Sequence, residues 1–446
     1  MAERRQSSQV VTLSAYWRLV RGNRNFRNLW MAQIVSEIGD WFYSLALYSL
    51  LLQLTGKATA VGLALMFQVL PQTLSSPTAG VVNDRVSRKR VMVTADIARF
   101  FIVLAMLLVR SRAMVWLVYP LLVLETVMWA FFEPARNAVI PNITPAEDVI
   151  VANTLSSTTW SLNLMVGAAL GGIVAALLGR DAVFVLNALS FLASAFLISR
   201  MRFAEPHAES AAPMRARDLV DYSPVLEGAS YVRRDRRLLA TMFAKTGELM
   251  IGPSWVLFTV MGVRYFPVHW AGLSAERGSL LGMSLLIGAR GIGALCGPLI
   301  SARVAGHSDR NLRLGILAGY LTTAVGYMAL GHAANVWLAC LCVVLAHSGG
   351  STVWVFSTTL LQLNTEDRFR GRVFAADLAL CMLTIGIGAY LCGRFLDRGI
   401  SARAVASMVG LLMLIPTVLW TWALRLQSPA GSSAAILTDG SEFPSP

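Results

Sequence analysis

The sequence predicts an all-α polytopic membrane protein with twelve transmembrane helices in two six-helix, pseudo-symmetric halves. Hydrophobic residues make up 56% of the 446 residues and charged residues only 14%, a composition that soluble proteins of this length do not have. A transmembrane helix needs about 20 mostly apolar residues. Twelve such runs follow one another along the chain, and their connections are too short for a separate soluble domain.

The apolar runs also set the expected domain boundaries. The N-terminal half (29–198) contains predicted spans at about 29–54, 60–82, 91–109, 115–132, 152–178 and 181–198. The C-terminal half (238–426) contains predicted spans at about 238–263, 280–304, 312–330, 336–361, 373–395 and 402–424. The remaining segments are a basic N-terminal segment (1–28), a central linker (199–237) and a C-terminal tail (427–446), which is expected to be disordered.

The formal charge of +13 indicates membrane orientation rather than nucleic-acid binding. The cations lie in the connections, mainly in the N-terminal segment and the even-numbered loops, and not beside aromatic stacking residues. Because Lys and Arg favour the cytoplasmic side, both termini are predicted to be cytoplasmic. The first apolar run is too long for a cleavable signal peptide. The five cysteines lack metal-ligand spacing, and neither a metal nor a cofactor is expected.

A charged loop separates the second and third spans, with the sequence Gly80-Val-Val-Asn-Asp84-Arg85-Val-Ser-Arg88-Lys89-Arg90. Its spacing resembles the signature loop of major facilitator superfamily transporters, with Ser87 where that pattern usually has a second glycine. The resemblance implies that Gly80, Asp84, Arg85 and Arg88 form a conformational latch. We expect Asp84 to dock at the positive N-terminal end of span eleven, near Arg372 and Val373. The alternative is a simple positive-inside turn.

Further stretches are similar to one branch of that superfamily, which includes the bacterial enterobactin exporter and macrolide efflux proteins. They are Phe131-Phe132-Glu133-Pro134-Ala135-Arg136-Asn137 at the end of span four and Asn187-Ala188 in span six. The stretch from Gly167 to Gly172 resembles the Gly-Pro-x-x-Gly-Gly stretch in span five of proton-coupled exporters, with Ala168 in the proline position. The glycines permit close helix crossing. The resemblance implies export of amphipathic small molecules, such as a drug or a siderophore, across a bacterial inner membrane by alternating access.

The second half repeats the first at an offset of about 221 residues. The offset aligns Pro77 with Pro298, Thr144 with Thr365, Gly167 with Gly388 and Gly172 with Gly393. Parallel repeats of this kind are expected of the superfamily, with a binding site near the bilayer midplane between the halves.

Three acids inside the predicted spans are candidate proton carriers: Glu37, Asp40 and Glu125. Glu37 and Asp40 lie three residues apart in span one, so they share a helix face. Carboxylates at this depth are costly unless they face a wet cavity, pair with a cation or carry a proton. Asp40 is the preferred coupling site because it lies deeper and precedes Trp41. Pairing with a structural cation is the alternative.

Asp96 and Arg99 lie three residues apart in span three, near the predicted latch. They belong either to a latch network with Asp84 or to a pair that only neutralises itself.

Eight further residues are candidates for the substrate cavity: Trp41, Tyr43, Trp129, Lys245, Glu248, Trp255, Arg290 and Trp354. Lys245 and Glu248 also have a simpler interpretation, mutual neutralisation. Arg290 has no acid nearby in sequence, so it faces the cavity or meets a carboxylate from another span. Packing or lipid contact is the simpler interpretation of the aromatic residues.

These observations predict a monomeric secondary transporter that exports an amphipathic small molecule, driven by inward proton flow. Its partners are the substrate, protons and membrane lipids, with no nucleic acid. A lipid or lysophospholipid flippase and a solute importer are alternatives on the same fold. A membrane enzyme is not expected, because the sequence shows no nucleophile and base pair, metal cluster or cofactor loop.

Overall fold

The computed structural model describes residues 13–205, 223–247, 249–269, 274–305 and 308–427. Within these ranges the regular structure is helical. The helices up to the linker are α1 (Leu13–Gly22), α2 (Arg24–Thr55), α3 (Ala58–Arg85), α4 (Arg88–Ala105), α5 (Val118–Ile143), α6 (Val149–Leu178) and α7 (Arg180–Ser199). The later helices are α8 (Ser223–Arg233), α9 (Arg236–Thr246), α10 (Ile251–Arg264), α11 (Ala275–Ala305), α12 (Asp309–Leu330), α13 (Val336–Asn364), α14 (Asp367–Asp397), α15 (Ala402–Leu412) and α16 (Leu414–Gln427).

These helices account for the twelve predicted spans, and the predicted all-α fold is confirmed. Spans one to six are α2 to α7, and spans eight to eleven are α11 to α14. Span seven consists of α9 and α10, and span twelve consists of α15 and α16. Eight helices or helix pairs in the described ranges are long and apolar enough to cross a membrane by length and composition.

Span seven is broken where the sequence suggested one continuous helix. The hydroxyl of Tyr320 donates a hydrogen bond to the carbonyl of Ala244, in the last turn of α9. A side chain that takes a helix carbonyl in this way interrupts the helical ladder. Helix α9 ends at Thr246 with Gly247 as its C-cap, and the helical conformation resumes at Ile251 in α10.

The two halves meet at one end of the bundle, opposite the end that carries α1 and the linker helix α8. We call the meeting place the far end and the opposite side the near end. Spans two and eleven approach so closely there that a Cβ on Gly62 would lie 2.5 Å from the carbonyl oxygen of Ala389. A Cβ on Gly393 would lie 2.7 Å from the Cα of Thr59. At the near end of span two, by contrast, a Cβ on Gly80 would have no neighbour within 4 Å, so no close helix crossing occurs at that position.

Candidate functional site

Arg99 is the centre of an ionic cluster inside the N-terminal half. Its guanidinium nitrogens lie 2.8 Å from Asp40 Oδ2, 2.9 Å from Glu125 Oε1 and 3.7 Å from Asp96 Oδ1. The guanidinium also covers the ring of Phe191 at 3.9 Å. Spans one, three and four each supply acids to this one cation, whose side chain is only 2% exposed.

The cluster holds more acids than cations among the described residues. Three carboxyl groups surround one guanidinium, so full ionisation would leave two negative charges uncompensated. Both oxygens of Asp96, and Oδ1 of Asp40, are buried without a hydrogen-bond partner. Burying an unpaired charge costs several kcal/mol. The side chain of Asp40 is 28% exposed and is the most accessible of the three acids.

Glu37 occupies a separate site between spans one and five. Its carboxylate accepts hydrogen bonds from Gln33 Nε2 at 2.9 Å and from Asn163 Nδ2 at 2.8 Å. Gln33 also donates to the carbonyl of Ser156 at 3.0 Å, which fixes the position of its amide. Glu37 and Asp40 therefore have different partners, although they lie on neighbouring turns of one helix.

Three tryptophans form an aromatic column across the two halves. The rings of Trp41 and Trp255 are stacked, with centroids 5.8 Å apart and planes 6° apart. Trp160 meets Trp41 edge-on at 6.0 Å. Arg290 covers Trp255 from the other side at 4.2 Å. Gly167 makes room for the column, because a Cβ there would lie 2.8 Å from the Cβ of Trp41.

The C-terminal half contains its own buried ion pair. Lys245 Nζ lies 2.5 Å from Asp377 Oδ2, and the two side chains are 4% and 2% exposed. Lys245 also lies 4.7 Å from the centroid of Trp354. Lys245 thus has a partner 132 residues away in sequence, and Glu248 lies outside the described residues.

The other cavity candidates are less central. Tyr43 is buried and packs edge-on against Phe184 at 5.8 Å, inside the N-terminal half. Trp129 is half-buried in span four. The structure therefore brings together Trp41, Trp255 and Arg290, while Tyr43 packs elsewhere.

The loop between spans two and three is fixed to the near end of the N-terminal half by its cations. Arg88 donates to the carbonyls of Asn83 at 3.2 Å and Ala138 at 3.0 Å, and Lys89 donates to the carbonyl of Met201 at 2.7 Å. Asp84 lies 3.8 Å from Arg88 and its side chain is 77% exposed. Asp96 and Arg99, the two other residues considered for the latch, lie instead in the ionic cluster with Asp40 and Glu125.

The predicted docking position of Asp84 on span eleven is covered by the linker helix α8. Glu227 of α8 pairs with Arg372 at 2.8 Å. Gly228 packs on the backbone of Arg372 and Val373. Tyr231 stacks on Phe369 with ring centroids 4.4 Å apart.

Sequence reasoning did not assign Asp377 and Asn163 to sites. Asp377 could have been assigned from the sequence, since an acid inside a span requires a partner. Asn163 could not easily have been assigned, because its contact with Glu37 depends on how spans one and five cross.

The major facilitator superfamily profile matches residues 29–377. The chain belongs to the major facilitator superfamily. It is 26% identical over 386 residues to macrolide efflux protein A of Streptococcus pyogenes, a match that covers 84% of this chain and 89% of that protein. It is 25% identical over 317 residues to the putative bacilysin exporter BacE of Bacillus subtilis (strain 168), covering 70% of this chain and 74% of that one.

Solved structures agree on the fold. A POT family transporter in complex with 5-aminolevulinic acid has a TM-score of 0.71 at 10% identity, covering 91% of this chain and 97% of the other. An inward-facing, unoccupied bacterial homologue of the lysosomal transporter Spinster has a TM-score of 0.68 at 14% identity, covering 90% of this chain and 96% of the other. The protein is thus a multi-span membrane transporter of small molecules and not an enzyme, and the expected resemblance to macrolide efflux proteins is confirmed.

Proposed function

We propose that the protein exports an amphipathic small molecule across the bacterial inner membrane, in exchange for protons that flow inward. The near end, with both termini, is cytoplasmic in this proposal, and the structure is the state open to the cytoplasm. The observation that carries the proposal is the set of three carboxyl groups around Arg99. The relatedness to macrolide efflux protein A and to a putative bacilysin exporter supports export of a drug-like molecule.

The charge of the cluster supports proton coupling. One guanidinium balances one carboxylate, so a second and a third ionised acid in this buried place are unfavourable. In this proposal at least one of the three acids therefore holds a proton. Asp40 exchanges that proton with the cavity because it is the accessible member.

Span one links the protonation of Asp40 to the contact between the two halves. Asp40 pairs with Arg99, and the next residue, Trp41, stacks on Trp255 of the opposite half. Protonation of Asp40 weakens its bond to Arg99, because it removes the Coulomb attraction between the carboxylate and the guanidinium, which stays charged. Span one is then free to turn, and the Trp41 contact between the halves changes with it.

The substrate binds beside this column, between the halves. Trp41, Trp160 and Trp255 offer aromatic faces, and Glu37 offers an acceptor that only neutral amides occupy among the described residues. A mostly apolar molecule with one or a few polar groups matches this lining, as is usual for small-molecule pockets.

The test is transport by the purified protein in liposomes. A macrolide antibiotic, a siderophore and a lysophospholipid are offered in turn, with a proton gradient, with a protonophore, or with a sodium gradient alone. We expect the macrolide to accumulate only with the proton gradient and the protonophore to abolish accumulation. Transport that survives the protonophore and requires sodium contradicts the coupling, and transport of lysophospholipid alone contradicts the proposed substrate class.

A further inference from the structure

The N-terminus of span two lacks a cap from its own sequence. Lys57 is the N-cap residue, with the extended backbone usual for that position (φ −109°, ψ 126°), but its side chain caps nothing. Lysine is unsuited to this position, because an N-cap needs a side-chain oxygen that accepts from the first amides. Other helices of this chain do have such caps, for example Asn23 on Phe26 and Asn335 on Leu338.

The missing cap comes from the other half of the protein. Asp397, the last residue of span eleven, accepts hydrogen bonds from the backbone amides of Ala58 at 2.7 Å and Thr59 at 3.0 Å. Each carboxylate oxygen takes one amide, at the helix end where a negative charge is favoured. The contact lies where spans two and eleven cross, beside Gly393.

We propose that Asp397 is a latch that stabilises the closed far end. In the state open at the far end, spans two and eleven separate, and the amides of Ala58 and Thr59 lose their acceptor. Lys57 cannot replace it. Opening of the far end therefore requires this contact to break, together with the ion pair of Arg180 with Glu276 and the hydrogen bond from Arg264 to the carbonyl of Gly56, which also join the halves there.

This latch mirrors the one predicted at the near end. There, Asp84 at the end of span two is expected to dock on the N-terminus of span eleven, which requires α8 to move away from Arg372 and Val373. At the far end, Asp397 at the end of span eleven docks on the N-terminus of span two. Asp84 is largely exposed while Asp397 is engaged, as expected if the two latches close in alternation.

A double-mutant cycle on Lys57 and Asp397 tests the latch without any substrate. Leu280, buried near the far end, is replaced by Cys in a protein whose five native cysteines are removed. The labelling rate by a membrane-impermeant maleimide, added to either side of sealed vesicles, reports opening. We expect Asp397→Ala to raise the rate about fivefold, the factor that corresponds to loss of one N-cap, with Asp397→Asn in between.

The Lys57→Asn variant gives span two its own cap, available in both states. It should raise the labelling rate in the wild-type background and add nothing in the Asp397→Ala background, because the two changes act on the same amides. The control is Asp181→Asn, a far-end acid whose partner Arg110, at 2.5 Å, belongs to the same half. This control should leave the rate unchanged. The proposal is overturned if Asp397→Ala leaves the rate unchanged, if Asp181→Asn raises it equally, or if the Lys57 and Asp397 effects simply add.

Discussion

The indole rings of Trp41 and Trp255 are stacked almost in parallel, 5.8 Å apart, although one belongs to span one and the other to span seven. This is a direct contact between the two halves, one residue away from the Asp40 and Arg99 pair. A change of charge at Asp40 therefore acts next to a contact that alternating access has to rearrange.

Removing the stack should favour opening of the far end. An aromatic pair contributes about 0.5–1.5 kcal/mol beyond its buried area, so Trp255→Ala should increase the labelling rate at Leu280→Cys by about twofold to tenfold. Trp255→Phe keeps a ring in place and should have a smaller effect. An unchanged rate in Trp255→Ala contradicts a role of the stack in holding the far end closed.

The near-end latch predicts a loss of transport without loss of binding. Asp84→Asn removes a charge that is favoured by about 0.3–1 kcal/mol at a helix N-terminus, and it does so only in the state where Asp84 docks. We expect a severalfold lower transport rate and an unchanged substrate affinity.

Asp309→Asn is the matched control for Asp84, because Asp309 is a near-end acid that pairs with Arg313 of its own helix at 2.6 Å. Transport should be normal in this variant. Equal losses of affinity and turnover in Asp84→Asn would show that the loop acts in binding instead.

The buried pair of Lys245 and Asp377 should act mainly in stability. Either single change, Lys245→Met or Asp377→Leu, leaves one charge buried without its partner, which costs about 3–5 kcal/mol. Thermal unfolding should therefore occur several degrees lower in each single variant and return near the wild-type temperature in the double variant. Transport should return with it. A double variant that is stable but inactive places Lys245 in the substrate cavity instead.

Glu37 should discriminate among substrates by charge. Its carboxylate accepts hydrogen bonds from two neutral amides, and Arg136, the cation that acts on it electrostatically, is already paired with Glu133, so a cationic group on the substrate supplies a direct counter-charge. Glu37→Gln should weaken binding of a cationic substrate by about tenfold or more and leave an uncharged analogue almost unaffected. Asp148→Asn, at an acid of the same half that pairs with Arg18 at 3.4 Å, is the control. Equal weakening for both substrates argues that Glu37 only supports the packing of spans one and five.

The fold could be predicted from the sequence because the length of a hydrophobic run is almost enough by itself to identify a transmembrane helix. The breaks were harder to predict. The interruption in span seven depends on the hydroxyl of Tyr320, which reaches Ala244 from span nine. Such a contact is a property of packing between distant segments.

In the candidate site, too, local spacing could be predicted from the sequence, whereas contacts between distant segments could not. Helical spacing brought Glu37 and Asp40 to one face, but their partners Asn163 and Arg99 lie 126 and 59 residues further along the chain. Lys245 has a neighbour in Glu248 by spacing, and yet its partner in the structure is Asp377. Sequence spacing identifies charged residues that need partners, whereas the helix crossings decide which partners they get.

The most direct test of the account compares two transport modes in Asp40→Asn. The variant keeps the shape of the side chain and removes its proton exchange. We expect it to lose accumulation of substrate against a gradient, while exchange of labelled for unlabelled substrate continues, because exchange moves no net protons. If Asp40→Asn still accumulates substrate with the wild-type dependence on the proton gradient, Asp40 is not the coupling residue and the proposed coupling mechanism is wrong.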